Sequence, residues 1–128
     1  MLSATGTFAV VDKASGCAVG SIGLMVGASS SIGLPDTEAE LGYWIGKAYW
    51  GRGLIPEAAQ AILRYAFEDL GLSKVWCGYY EGNSKSKRVQ EKCGFQYQYS
   101  KENVQCTLLD EIRTEHITCL SKEDWLRR

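Results

Sequence analysis

The sequence predicts an α+β fold, a mixed α/β chain with the element order β-β-β-α-β-α-β-β around a central, mostly antiparallel sheet that holds one parallel pair. Three observations carry this expectation. The residues on either side of Lys13-Ala14-Ser15-Gly16 are β-branched, aromatic and alternating, the pattern of a hairpin. From Glu57 onward the apolar positions take up the period of a helix. A second aromatic strand pattern follows at Lys74–Glu81, and strand, helix and strand in that order form a crossover unit whose strands run parallel.

Thr7–Asp12 is the first strand and Cys17–Val26 the second, with Ile22, Leu24 and Val26 alternating onto one face. Gly27–Thr37, small and polar with a proline, is a loop. Glu38–Gly46 is the third strand; Leu41, Tyr43 and Ile45 point one way, and Glu40, Gly42 and Trp44 the other. The glycine-rich Lys47–Ile55 leads to Pro56, in a first turn that tolerates proline. Ile55, Ala59, Ile62, Leu63, Ala66 and Leu70 then form one stripe, which stops at Gly71. After Lys74–Glu81, Gly82-Asn83-Ser84 turns the chain into a shorter helix through about Lys92. Val89 and Cys93 are its buried face, and Gly94 ends it with Phe95 in contact. Gln96–Leu120 reads as two strands around a polar turn near Asp110–Thr114, and Ser121–Arg128 as a short helical turn or tail.

Composition narrows the function classes. The 128 residues make a single domain, 1–128, and 45% hydrophobic with 23% charged residues excludes a disordered or collagen-like chain. Lys and Arg number 14 against 15 Asp and Glu, a net charge of −1, so no global charge steers the molecule to nucleic acid or an anionic membrane. The five cysteines Cys17, Cys77, Cys93, Cys106 and Cys119 contain no C-x-x-C pair, and His116 is the one histidine; no metal site is expected. Free cysteines of this kind are small buried hydrophobes and point to a reducing cytoplasm. Met1–Lys13 lacks a signal-peptide pattern, and Ala14–Pro35 is too rich in Gly and Ser to span a membrane.

The segment Trp50-Gly51-Arg52-Gly53-Leu54-Ile55-Pro56-Glu57-Ala58 stands between a strand and a helix start. Glycines there let backbone N–H groups converge beside the positive end of the helix, the makings of an anion site. Two phosphate motifs nearly fit and fail. Gly42-x-x-x-Gly46-Lys47-Ala48 is too short for a Walker A loop and has Ala where a metal-binding hydroxyl belongs. Gly51-x-Gly53-x-x-Pro56 has Pro in place of the third dinucleotide-loop glycine. A helix-capping loop that binds nothing is the competing reading of the glycines.

Glu38-Ala39-Glu40-Leu41-Gly42-Tyr43-Trp44-Ile45, followed by Trp50-Gly51-Arg52-Gly53 and Glu57-Ala58, resembles the acyl-CoA-binding core of the GNAT N-acetyltransferase superfamily. Asn83-x-x-Ser86-x-Arg88-Val89-x-Glu91-Lys92-Cys93-Gly94-Phe95 resembles a signature of the branch that holds the ribosomal-protein N-terminal acetyltransferases. His116–Trp125 is similar to that branch's closing strand and terminal turn. The resemblance spans Thr7 to Trp125 and implies that the parallel strand pair splays to admit acetyl-CoA.

The resemblance implies a set of roles. The loop Trp50, Gly51, Arg52, Gly53, Leu54, Ile55 would hold the pyrophosphate through backbone N–H groups and the Arg52 guanidinium. The edge at Trp44, Ile45 and Gly46 would pair with the amides of the pantetheine arm like an added strand, and a backbone N–H near Ile45 would meet the oxyanion. Glu40 is the candidate base, acting directly or through water, with Glu38 as the fallback; both also read as solvated strand carboxylates. Many relatives have a tyrosine acid at the position that is Gln90 here, which cannot serve. Ser86 is then the candidate acid, or a first-turn cap. Asn83 would fix the arm or a water, or cap the helix. Lys92 would reach the adenine or its phosphate, or stand in solvent. His116 reads as structural, with no acid or nucleophile signature nearby.

Two departures stand out. Ala48 occupies a position where the family often has Gln or Arg. The family also usually carries an opening strand and two helices before the first hairpin, and these form much of the acceptor pocket. A fragment, a truncated product or a minimal form is expected, with Thr7–Asp12 as an open edge that a second copy could pair with to make a homodimer. The implied activity is acetyl transfer from acetyl-CoA directly to a primary amine, on a peptide N-terminus or a small molecule. The alternative is an acyl-CoA-binding module without turnover, because the acceptor half is incomplete.

Overall fold

A computed structural model describes residues 6–11, 16, 18–27, 33–45, 54–106 and 111–127. The chain runs β1 (Gly6–Val11), β2 (Ala18–Val26), β3 (Glu38–Ile45), α1 (Leu54–Arg64), β4 (Lys74–Tyr80), α2 (Ser84–Cys93), β5 (Gln96–Cys106), β6 (Glu111–Ser121) and α3 (Lys122–Leu126). A π-helical segment, Tyr65–Asp69, prolongs α1. The strands form one six-stranded sheet in the order β1-β2-β3-β4-β6-β5, with β1 paired to β2 as the hairpin pattern implied. β3 and β4 are its one parallel neighbouring pair, joined through α1.

The alternation in β2 works as the sequence suggested. Ile22 and Leu24 are fully buried, and α1 lays Ile55, Ala59, Ile62 and Leu63 over them and over Ala39 and Leu41 of β3. Each of the isoleucines and leucines contributes about 1.5–3 kcal/mol by leaving water. Ala66 and Phe67 of the π-helical segment continue the same stripe. Gly71, at φ +65°, lets the chain turn back toward β4 where a side chain would strain the backbone.

α2 is bounded by the residues that the sequence marks. Asn83 is its N-cap, its side-chain oxygen accepting the Ser86 N–H at 3.1 Å. Gly94 closes it at φ +94°, and the Phe95 N–H donates to the Gln90 carbonyl at 2.9 Å while the Phe95 ring is buried. Ser121 caps α3 by accepting the Asp124 N–H, and Trp125 sets its ring 5.3 Å from that of Phe67.

One boundary is corrected. The polar turn expected at Asp110–Thr114 gives way to strand from Glu111, because Glu111, Ile112 and Arg113 pair with Cys106, Gln105 and Val104 of β5. Pairing with a neighbour overrides local polarity there.

The parallel ladder is short. It runs from Glu38↔Lys74 to Leu41↔Cys77 and stops, while β3 continues to Ile45 beside β2 and β4 continues to Tyr80 beside β6. Beyond Leu41 and Cys77 the two strands part, which is the splay that the resemblance implied. Cys77, Cys93 and Cys119 are buried as thiols. Among the described residues no helix is long and apolar enough to cross a membrane, and no cluster of His, Cys, Asp and Glu could hold a metal.

Candidate active site at the parted strands

The gap between β3 and β4 is bridged on its helical side by a buried polar cluster. Tyr43 reaches in from β3, Ser86 and Gln90 from α2, Thr118 from β6, and β4 supplies the Gly78 carbonyl. The Tyr43 hydroxyl is hydrogen bonded to Ser86 Oγ and lies 3.3 Å from the Ser86 carbonyl. Gln90 Nε2 donates to the Gly78 carbonyl at 2.9 Å and lies 3.2 Å from Ser86 Oγ and 3.3 Å from the Tyr43 hydroxyl. The Thr118 hydroxyl donates to Gln90 Oε1 at 2.7 Å. Gln90 is only 2% exposed, so these bonds are what make its burial tolerable. Burial, with the Cys77 side chain adding to it, pushes the Tyr43 phenol well above its ordinary titration range, so it stays protonated.

The other face of the sheet carries Glu38, Glu40 and Glu115, spread from the start of the parallel ladder to its parted end. Glu38 accepts the Trp76 indole N–H at 2.7 Å, which commits that carboxylate to a strand-to-strand bond. Glu40, two residues on, is half-buried between Met25 of β2 and Trp76 of β4 in the sheet register. Glu115 comes from β6. Burial holds its proton above the ordinary carboxylate range; Lys101 opposes this and the charge of Glu40 adds to it. Gly78 makes room for it, since a side-chain carbon at that position would lie 2.8 Å from Glu115 Oε2.

The structure separates the residues singled out by sequence. Ser86 and Glu40 flank the gap from opposite faces of the sheet. Asn83 is the α2 cap, and Lys92 is exposed in the last turn of that helix. Leu54 and Ile55 open α1, with the Ile55 side chain buried in the core, which leaves its backbone as the part able to meet a ligand. The backbones of Trp44 and Ile45 belong to the parted end of β3, against Ser21 and Gly20 of β2. Gly46, Trp50, Gly51, Arg52 and Gly53 lie outside the described residues.

Sequence reasoning missed Tyr43, Thr118 and Glu115, and it took Gln90 only as an acid that could not work. A phenol does reach the neighbourhood of Gln90, but from the strand and not from the helix. His116, read as structural, does have an acid beside it that the sequence did not show. Its Nε2 meets the Glu81 carboxylate and its Nδ1 lies 2.8 Å from Ser100 Oγ, because β6 pairs with both β4 and β5.

Comparison with known proteins gives a consistent result. Residues 2–96 match the model of the acetyltransferase (GNAT) domain. Bacillus subtilis YdaF, named provisionally as a ribosomal N-acetyltransferase, is 45% identical over 60 residues, 47% of this chain and 33% of that protein. The FsC-acetyl coenzyme A-N(2)-transacetylase of Aspergillus fumigatus is 32% identical over 89 residues, 69% of this chain and 38% of that protein. Among solved structures, the ribosomal-protein-S5-alanine acetyltransferase of Vibrio fischeri superposes with a TM-score of 0.80 at 22% identity, covering 94% of this chain and 63% of that one, which is a likeness of fold. The matched segments span about a third of the length of these curated relatives.

Proposed function

This chain belongs to the acetyltransferase (GNAT) domain family, and on that premise we propose that it transfers acetyl from acetyl-CoA directly to a primary amine, on a peptide N-terminus or a small molecule. The observation that carries the reading is the parting of β3 and β4 after Leu41 and Cys77. An extended, amide-bearing arm needs an unpaired strand edge to lie against, and Gly42–Ile45 offers one toward the gap. Trp44, Ile45 and Gly46 would pair with that arm. The first N–H groups of α1 at Leu54 and Ile55, with Trp50, Gly51, Arg52 and Gly53, would meet the pyrophosphate. Asn83, whose side-chain oxygen caps α2, has its amide nitrogen left to offer, and Lys92 would meet the distal phosphate.

The chemistry asks for a proton acceptor, an oxyanion donor and a stabilised leaving group. An alkyl ammonium titrates near about 10, so the acceptor must be stripped of a proton before attack. Glu40 is the base, directly or through a water, and its charge bears on Glu115 beside it. Glu38 is the weaker choice because the Trp76 indole occupies it. As the new C–N bond forms and the C–S bond breaks, a backbone N–H near Ile45 meets the oxyanion. The Ser86 hydroxyl donates to the departing sulfur, whose thiolate has an ordinary pKa of about 8.5.

Titration calorimetry with acetyl-CoA and with free CoA tests the binding half. Thiol release in the presence of alanine-initiated peptides and small primary amines tests turnover. Glu40→Gln is expected to abolish thiol release while leaving the acetyl-CoA Kd within about twofold. Binding by the unaltered chain with no release from any amine would favour the second reading, an acyl-CoA-binding module without turnover.

A further inference from the structure

We propose that Tyr43 is a positioning residue whose phenol aims the Ser86 hydroxyl into the gap between β3 and β4. The inference rests on the acetyltransferase reading and deepens it. Its basis is a count of donors and acceptors in the buried cluster.

The Gln90 carboxamide has only one workable orientation. The Gly78 carbonyl can only accept, so Nε2 must face it, and the Thr118 hydroxyl then donates to Oε1. The second Nε2 hydrogen falls between Ser86 Oγ at 3.2 Å and the Tyr43 oxygen at 3.3 Å. Tyr43 has one proton to give, and its two acceptors are Ser86 Oγ and, at 3.3 Å, the Ser86 carbonyl. When the phenol donates to Ser86 Oγ, that oxygen receives from both Tyr43 and Gln90, and both of its lone pairs are used. The Ser86 proton then has no acceptor within the cluster and points out of it. Ser86 as a residue is half-buried, not sealed in the core.

Tyr43 suits this task because it is held neutral. A titrating partner would exchange roles with Ser86 as pH changed, whereas a buried phenol stays a donor across the working range. It acts through Ser86 and need not touch substrate. A hydroxyl whose lone pairs are filled by two donors is also a better hydrogen-bond donor itself, because the bonds polarise one another.

The competing account is a brace that merely ties β3 to α2. Tyr43→Phe keeps the ring and removes the donor, and it is compared with Ser86→Ala and with the double variant in the full chain. Three quantities are read: kcat with the best amine of the screen, Kd for acetyl-CoA, and melting temperature. Tyr43→Phe is expected to lower kcat about ten- to hundredfold, the cost of one hydrogen bond lost from a charge-stabilising donor, with Kd within twofold. The double variant is expected to match Ser86→Ala alone. Tyr43→Leu takes the place of Tyr43→Phe if the latter melts below the assay temperature, with the same expectations. Wild-type turnover in Tyr43→Phe overturns the proposal alone. So does a double variant that falls below Ser86→Ala by the full Tyr43→Phe factor, since Tyr43 would then act independently of Ser86. A wild-type chain that binds acetyl-CoA and releases no CoA overturns the acetyltransferase reading, and the proposal falls with it.

Discussion

Where β3 and β4 are laddered, the side chains turned toward the helices are Ala39, Leu41, Val75 and Cys77, each at most 3% exposed. Where the same strands part, the corresponding space holds Tyr43, Ser86, Gln90 and Thr118, joined by hydrogen bonds. The first region is held by apolar burial and by ladder bonds. In the second the ladder is missing, and a glutamine from α2 supplies the bond that a neighbouring strand would have given to the Gly78 carbonyl. The contrast teaches that a sheet can be opened without leaving its core unsatisfied, provided that a helix brings an amide to the exposed edge.

The largest expected effect breaks the closed half. Leu41→Ala removes a fully buried side chain and is expected to cost about 2–5 kcal/mol in urea denaturation. Acetyl-CoA affinity, corrected for the folded fraction, should hardly change; a large loss of affinity in the folded fraction would mean that the halves are not separable. Gln90→Leu attacks the open half with similar volume and no hydrogen bonds. It leaves the Gly78 carbonyl and the Thr118 hydroxyl without their partner in that side chain and is expected to cost about 1–3 kcal/mol in the same assay. A neutral result would show that the cluster is ordinary core and would erase the comparison.

The smallest effect sharpens the comparison by charge. Burial raises the Glu115 pKa above the ordinary 4.5, so the folded chain keeps that proton to higher pH than the unfolded chain does. The resulting stabilisation is complete below 4.5 and is lost as pH rises through the folded value. Glu115→Gln cannot titrate. The stability of the wild type relative to this variant should therefore fall as pH rises above 4.5 through the folded value and be level beyond the transition, as read by denaturation at each pH. A difference independent of pH would remove Glu115 from the account.

What the sequence made legible was local. The alternation of Ile22 and Leu24, the Asn83 cap and the Gly94–Phe95 stop are each decided within a few residues, and each is where it was expected. The site is non-local. Tyr43 and Ser86 are 43 positions apart, and Tyr43 sits on the apolar side of its strand, so periodicity assigned it to the core and was right about the face. Its hydroxyl is what sets it apart from an ordinary apolar core residue, and periodicity does not see a hydroxyl. Glu115 reaches Gly78 because β6 pairs with β4, a neighbour that lies beyond α2 and β5 in the chain. The same pairing gives His116 its carboxylate. Gln90 looked like a failed acid because it was compared with a tyrosine; its value to the fold is the pair of hydrogens that a tyrosine lacks.

The position of β6 has a consequence for how the molecule is made. β6 occupies an interior place in the sheet, between β4 and β5, although it follows both of them in the chain. From the emergence of Tyr80 until that of Ser121, one edge of β4 has no mate, and at a translation rate of about 5–20 residues per second this window lasts several seconds. During that time the nascent chain presents an open aromatic strand, Lys74–Tyr80, to whatever else is nearby. The β5–β6 hairpin, by docking as a unit, closes both the sheet and that exposure.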